Sequence, residues 1–454
     1  MINRFRSSKI YSYLNNNHFL SLTGNVVMAG MSVLSSSLIF RSLHLQEVGM
    51  WILFTTMLGL LDSIRAGFLT TAFIRAYSGA TPARAAEVMG STWFIALFIT
   101  VLFIALNTLA LILPIPINNE SLNVFFHWFS VTFIATLPGF IAGCVLQAEM
   151  KFDKLLYLRV ISQGVFILGI TVLVLTKQMT LFRLLYLNIG REAVTSLAAL
   201  LFGWTNFRML KDRSVACAKE LAHFGKYSIG SFIGSMLLRD SDTFVINFML
   251  GPAALAVYNV AQRFMEFIEI PLRSSVATAI PAMSAAFNQG DKVRLGWVMQ
   301  RYAGVITWAL VPLIIVMFVG ADPLISLLGG HKYAGTEAAN VLRIFLVIAI
   351  LFPIDRYFGV ALDVINQPKM NLIKVFITLI MSVTTNILGI KLLHNIYGVA
   401  IASAPTIVAG FIFGYLAFSR YSKLSVLSII ETGFEESKKI IFGFVAKLRP
   451  AKSH

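Results

Sequence analysis

Charge is what this sequence has least of. Only 13% of its 454 residues are charged, against about a quarter in a soluble globular protein. Meanwhile 57% are hydrophobic and the mean hydropathy is +0.78, which excludes a water-soluble enzyme. Cysteine is nearly absent: Cys144, in an apolar segment, and Cys217, in a basic loop, supply neither a disulfide framework nor a four-ligand metal site. The seven histidines show no ligand spacing. There is no P-loop, no G-x-G-x-x-G and no G-x-S-x-G, so nothing here is built to hydrolyse ATP, and no cofactor is expected. Acid is scarce relative to base, with 37 Lys+Arg against 21 Asp+Glu and a formal net charge of +16. In a soluble protein that balance would suggest nucleic acid. Here a bilayer accounts for it, and no nucleic-acid partner is expected.

What the chain does have is long apolar runs. A membrane-spanning helix takes about 20 predominantly apolar residues, because lipid leaves exposed backbone polar groups unsatisfied. Twelve segments qualify: 19–43, 47–75, 87–113, 122–148, 155–175, 180–205, 221–248, 252–282, 296–320, 337–365, 369–391 and 395–418. The basic stretch Met1 to Lys9 and the polar stretch Tyr11 to His18 precede the first span without a small-residue cleavage site, so they read as the flank of an uncleaved helix. With the N-terminus inside, cytoplasmic segments and adjoining span ends hold 25 Lys and Arg, Lys369 and Lys374 among them. The external side holds five: Arg41, Lys177, Arg183, Lys332 and Lys391. That asymmetry follows the positive-inside rule and accounts for the whole basic excess. The expected fold is an all-α polytopic membrane protein of twelve transmembrane helices, in two six-helix lobes around a central cavity, with both termini cytoplasmic.

The expected organisation is an N-terminal lobe, 1–205; a basic cytoplasmic linker, 206–220; a C-terminal lobe, 221–418; and a cytoplasmic tail, 419–454. A shift of 207 residues places Leu43 on Leu250, Gly49-Met50-Trp51 on Ala256-Val257-Tyr258, Asp62 on Glu269 and Thr71-Ala72 on Thr278-Ala279. Both halves thus begin with a similar helical hairpin, and six crossings per half give them the same orientation. The tail is broken by Glu435, Glu436, Lys438 and Lys439. Its Ile429, Ile430, Phe434, Ile440, Ile441, Phe444 and Leu448 suit an amphipathic anchor on the inner leaflet. Gly225, Gly230 and Gly234 form a small-residue face on span seven, read as close helix packing.

Charge within the spans costs at least about 2.5 to 3.5 kcal/mol per group near the bilayer centre, so such groups face protein or a wet cavity. Seven arginines lie there (Arg65, Arg191, Arg239, Arg263, Arg273, Arg343, Arg356) with eight acids (Asp62, Glu192, Asp240, Asp242, Glu266, Glu269, Asp355, Asp363) and no lysine. Arginine stays ionised and its planar fork suits phosphate. The candidate substrate-binding residues are Arg65, Arg191, Arg239, Arg263, Arg273 and Arg356. The candidate coupling or ion-pairing acids are Asp62, Asp240, Asp242, Glu266, Glu269 and Asp355. The helix spacing also offers purely local pairs: Asp62 with Arg65, Arg239 with Asp242 and Arg263 with Glu266 at i,i+3, and Glu269 with Arg273 at i,i+4. Substrate contact and structural pairing therefore both stay open for any one arginine. Pro271 and Pro353, just before Arg273 and Asp355, are expected kink positions.

Two groups of residues carry a family resemblance. Asp242-Thr243-Phe244-Val245-Ile246, Leu250-Gly251-Pro252 and Val257-Tyr258-Asn259-Val260-Ala261 are similar to the second-half hairpin of bacterial polysaccharide flippases. Glu47-Val48-Gly49-Met50-Trp51, with Asp62 and Arg65 to Arg75, resembles the opening hairpin of the same Wzx-type transporters, members of the multidrug/oligosaccharidyl-lipid/polysaccharide superfamily. The resemblance implies alternating access and export of an undecaprenyl-diphosphate-linked oligosaccharide, such as an O-antigen repeat unit of lipopolysaccharide, across the bacterial inner membrane. Carried over by position, Arg65, Asp62, Arg239, Asp242 and Arg263 would hold or balance the diphosphate and sugar. It also implies a monomer without enzymatic activity, surrounded by membrane lipids, with a polysaccharide polymerase and chain-length proteins as partners. The two further helices usual in lipid II flippases are not among the twelve segments, which favours a repeat-unit flippase. A cation-coupled multidrug extruder of the same superfamily is the alternative, although organic cations favour a cavity poor in arginine. A membrane-embedded glycan polymerase or acyltransferase is the further rival.

Overall fold

The computed structural model describes residues 17–113, 119–422 and 424–448, with side chains at 17–26, 227, 228, 231, 441 and 443–448 outside that description. The basic N-terminal stretch, and the tail's Ile441, Phe444 and Leu448 side chains, therefore lie outside the described residues. All regular structure among the described residues is helical. The long helices are α1 (Asn17–Ser42), α2 (Leu45–Tyr77), α3 (Pro82–Ile112), α4 (Glu120–Ala148), α5 (Phe152–Leu175), α6 (Leu181–Leu201), α7 (Val215–Met249), α8 (Pro252–Asn288) and α9 (Lys292–Val319). After a short α10 (Ala321–Gly329) come α11 (Ala338–Ala349), α12 (Phe352–Val364), α13 (Pro368–Leu393), α14 (Tyr397–Ser419) and α15 (Val426–Leu448). Most of each of the twelve apolar segments is helical, the tenth as two helices. By length and composition α2, α3, α4, α5, α6, α9, α13 and α14 can cross a membrane on their own, and α11 with α12, bent by 48° at their junction, makes a ninth. The chain is a multi-pass membrane protein.

The helix ends follow from their residues. Thr81 and Asp291 accept the backbone N–H of Arg84 and Arg294 at 3.4 and 2.8 Å, capping α3 and α9. Between α7 and α8, Gly251 takes φ +91°, a conformation open to glycine, and Pro252 starts the next helix. α1 ends at Ser42 and α7 at Met249, while α2 begins at Leu45 and α8 at Pro252. Both boundaries of the hairpin thus recur at the offset of 207 residues read from the sequence. Pro353 opens α12 immediately after the bend, whereas α8 runs through Pro271 and Pro281 as one helix.

Contacts divide the chain into two compact units, 1–236 and 237–454. The division falls inside α7, beyond the loop at 206–220. In the first unit, α2 packs on α4 and α3, α4 on α6, and α1 on α5. Its core includes Leu69, Phe73, Trp93, Ile141 and Cys217. Cys217 is therefore a buried free thiol on α7 and not a loop residue. The loop before α7 is held to α3: Trp93 Nε1 donates to the Thr205 carbonyl at 2.9 Å, and Ser91 exchanges hydrogen bonds with Ser214. Arg84 ties Glu87 to Glu220. On the small-residue face of α7, a Cβ at Gly225 would stand 2.3 Å from the Phe68 carbonyl oxygen of α2, but Gly230 has no atom within 4 Å. The close approach is thus made by one of these two glycines.

The second unit corrects the reading of the tail as a simple lipid anchor. α15 docks on α9 through its own backbone: a Cβ on Gly304 would lie 2.2 Å from the Ile429 carbonyl oxygen and 2.6 Å from the Gly433 Cα. Ile429 is fully buried in the core. Gln300 Nε2 donates to Ser428 at 2.7 Å, Trp308 Nε1 donates to the Ile430 carbonyl at 3.1 Å, and Arg301 pairs with Glu436 at 2.8 Å. Lys439, with Arg301 beyond it, holds the Glu436 carboxyl below the usual carboxylate range. Two facing glycines let two helix backbones meet, which an amphipathic pattern alone does not reveal. Gly304→Leu should therefore detach α15, at a cost of about 1–3 kcal/mol. Limited proteolysis should then cleave the tail while the rest of the chain stays intact; unchanged tail protection would contradict the docking.

Candidate functional site

In the first unit the charged side chains sit where α2, α4, α5 and α6 meet one another in pairs. Arg65 is fully buried. It pairs with Asp62 one turn earlier, donates to Thr136 Oγ1 at 2.9 Å, and lies over the rings of Phe133 and Phe140 at 4.5 and 4.6 Å. Stacking on aromatic faces offsets some of the cost of burying a guanidinium. Its Nε and Nη1 have no acceptor among the described residues. Asp62 is the exposed end of the pair, at 41%. Arg191 is held by its neighbour Glu192 and stacks over Phe166 at 4.8 Å, again leaving Nε without an acceptor.

In the second unit three clusters form. On α7, Arg239 grips Asp240 with two bonds of 3.2 Å instead of pairing with Asp242 as the i,i+3 spacing suggested. Asp242 is claimed by other helices: the Tyr258 hydroxyl donates to it at 2.5 Å and Asn386 Nδ2 at 2.6 Å, with Ser241 bonded to Ser382 alongside at 3.0 Å. Tyr258, Asn386, Ser241 and Ser382 are all buried. Being uncharged, none of them stands out in a search of the sequence for charge. On α8 both expected local pairs form, Arg263 with Glu266 at 2.9 Å and Arg273 with Glu269. Arg263 Nε has no acceptor among the described residues, and Arg273 is exposed.

The third cluster corrects the expectation that no lysine lies within the spans. Lys374, counted as a cytoplasmic flank, is buried on α13, with its side chain 8% exposed. Its Nζ binds the Asp355 carboxylate at 2.6 Å and the Asp355 carbonyl at 2.8 Å. A Cβ on Gly359, Gly410 or Gly414 would come within 3.6, 3.3 or 3.7 Å of this side chain, so three glycines on α12 and α14 clear its slot. Gly359, one turn after Asp355, is the part of that slot that lies beside the acid in the sequence; Gly410 and Gly414 reach it only through the fold. Arg356, next to Asp355, is exposed and makes no ion pair among the described residues. Arg343 pairs with Asp322 of α10 and donates to Asn340 at 2.8 Å. Taking Lys374 out of the flank count lowers the larger side of the expected basic asymmetry from twenty-five to twenty-four, against five on the other.

A model of the family described as polysaccharide biosynthesis protein matches residues 38–338. Over 436 residues the chain is 22% identical to the probable low-salt glycan biosynthesis flippase Agl15 of Haloferax volcanii, covering 92% of this chain and 87% of that protein. Among solved structures, an inward-facing multidrug resistance transporter of the MATE family, in the MOP superfamily, is similar with TM-score 0.72 at 16% identity, covering 88% of this chain and 96% of that one. Lipid II flippase MurJ, in an inward-closed conformation, is similar with TM-score 0.70 at 14% identity, covering 95% and 93%. At these identities the structural likeness is one of fold.

Within that fold, the Lys374–Asp355 pair makes a sharp energetic test. Breaking a buried pair strands a charge, at a cost of about 3–5 kcal/mol, whereas replacing both partners by apolar groups is often neutral. Because Asp355 is partly exposed, the expected losses lie toward the low end. Asp355→Leu and Lys374→Met should each lower the melting temperature in detergent, and the double variant should recover most of the loss. Additive losses would contradict a coupled pair.

Proposed function

Because the chain belongs to the polysaccharide biosynthesis protein family, we propose that it flips a lipid-linked oligosaccharide, carried on a polyprenyl diphosphate, from the cytoplasmic to the outer leaflet. The observation that carries this reading is the set of unused guanidinium N–H groups. Arg65, Arg191 and Arg263 each bring a buried donor into the spans with no acceptor among the described residues. A buried donor left unpaired costs about 1–3 kcal/mol, more when charged, and a diphosphate with its many acceptor oxygens is the kind of ligand that would use it. Arg239, Arg273 and Arg356 present exposed guanidinium groups to the same end.

In this mechanism two six-helix lobes bound a central cavity and rock to expose it to each side in turn. The chain crosses the membrane twelve times with both termini inside, as the excess of basic residues on alternate loops supports. The prenyl tail stays in lipid while cavity arginines hold the diphosphate and sugar. Asp62, Asp240, Glu266 and Glu269 keep those arginines neutralised between cycles, and protonation of one of them would release its partner to the substrate. Asp242 and Asp355 are occupied by Tyr258, Asn386 and Lys374, and their part is to hold helices together. We assign the protein to the bacterial cytoplasmic membrane, as a monomer that hands its product to a polysaccharide polymerase and chain-length proteins of an O-antigen or related surface-polysaccharide pathway. No bond of the substrate is made or broken.

Arg263→Ala and Arg239→Ala should each reduce surface glycan export by about ten- to a hundredfold, the equivalent of one charged hydrogen bond of roughly 1.5–3 kcal/mol, at unchanged protein level. Lysine at either position should restore only part of it, since the charge returns without the fork. Immunoblotting of surface glycan alongside membrane protein measures both. Full export by both alanine variants would overturn the role of the arginines.

A further inference from the structure

One groove in the second unit is lined by none of the residues assigned to the substrate. It has a volume of about 480 Å³ and is walled by Phe318 of α9, Val347 and Ile348 of α11 and Ile401 of α14, with Asn340 and Arg343 at one end. Phe318, Val347 and Ile401 are 40–57% exposed, so the groove opens sideways, to lipid in a membrane protein. Its depth is read from helix geometry. Arg343 stands five residues into α11 and Val347 nine, or about 8 and 14 Å from that helix end. Phe318 lies one residue from the end of α9, and Ile401 four residues into α14. All of these helix ends lie on the external side in the proposed orientation. Along α11, Asn340 and Arg343 therefore lie nearest headgroup depth and Val347 and Ile348 about one turn deeper, while Phe318 and Ile401 flank the arginine nearer the external helix ends.

We propose that this groove holds one anionic phospholipid of the outer leaflet, with an acyl chain along the apolar wall and the phosphate on Arg343. The proposal rests on the orientation given above and not on the flippase reading. The charges select the occupant. Arginine is rare on the outer side of this chain, and Arg343 is the one cation lining the groove. Its guanidinium is already shared with Asp322, whose side chain is 67% exposed. What remains suits a single monoanionic phosphate. A polyprenyl diphosphate would bring more negative charge than one shared arginine offsets, and a zwitterionic headgroup would add a cation beside it. The apolar wall excludes a free phosphate ion as the main occupant, since most of the binding surface offers it nothing.

The test is native mass spectrometry of the full chain in detergent, titrated with phosphatidylglycerol and phosphatidylcholine of identical chains. The wild type should retain one phosphatidylglycerol with about tenfold preference, as expected for one charge-assisted hydrogen bond. Arg343→Gln should bring the two lipids to parity, and Val347→Trp, at an exposed position, should weaken both by filling the groove. Asp322→Asn, which frees the arginine without touching the groove, should strengthen phosphatidylglycerol binding, and it remains informative if Arg343→Gln fails to fold. Millimolar inorganic phosphate should displace nothing. Equal retention of the two lipids by the wild type, an unchanged preference in Arg343→Gln with no gain in Asp322→Asn, or displacement of phosphatidylglycerol by equimolar undecaprenyl diphosphate would each overturn the proposal.

Discussion

Every charge carried into a bilayer has to find its counterpart in protein, and the interior of this chain is arranged around that requirement. Water cannot serve as the partner of last resort for a group at hydrocarbon depth. Each arginine that the sequence places within a span, Arg356 excepted, is accordingly gripped by a carboxylate on its own or a neighbouring helix, from Arg65 with Asp62 to Arg343 with Asp322. Pairing neutralises net charge without using every donor. A guanidinium has five N–H groups, and one carboxylate takes at most a few. The structure therefore keeps positively polarised hydrogen-bond capacity in the membrane at no net charge. That combination is what an anionic headgroup crossing a bilayer requires.

Glycine is the other half of the arrangement. A lysine can reach Asp355 from α13 because Gly359, Gly410 and Gly414 leave its path clear, and α15 can lie on α9 because Gly304 and Gly433 face each other. In lipid, close approach has to replace hydrophobic expulsion as the source of helix association. Both contacts put a polar or backbone group where a Cβ would stand. They also bear on motion. The Lys374–Asp355 link joins α13 to α12, the helix that follows the 48° bend, so the two segments should move together.

Much of this was legible in the sequence, and what was not has a common cause. Apolar runs of span length announce helices because the backbone must satisfy itself, and most of each of the twelve segments is helical. Pairs set by one helix's own geometry were equally readable: Asp62 with Arg65, Arg263 with Glu266, and Glu269 with Arg273. Arg239 with Asp242 failed because Asp242 is turned toward Tyr258 and Asn386, partners remote in sequence and uncharged. Lys374 was misplaced because depth was counted from a helix end, six residues away, that says nothing of which side chains surround it. The tail was misread because its glycine, Gly433, is silent in an amphipathic pattern until its counterpart Gly304 is seen.

The central claim is that arginines balanced by acids carry a lipid-linked anion, and reconstituted translocation tests it most directly. The purified chain, in proteoliposomes loaded on one leaflet with a fluorescent undecaprenyl-diphosphate-linked oligosaccharide, should move the glycan to the other leaflet, where an added glycosidase can reach it. An organic cation supplied in parallel should not be moved. Translocation of the cation with no movement of the glycan would contradict the account.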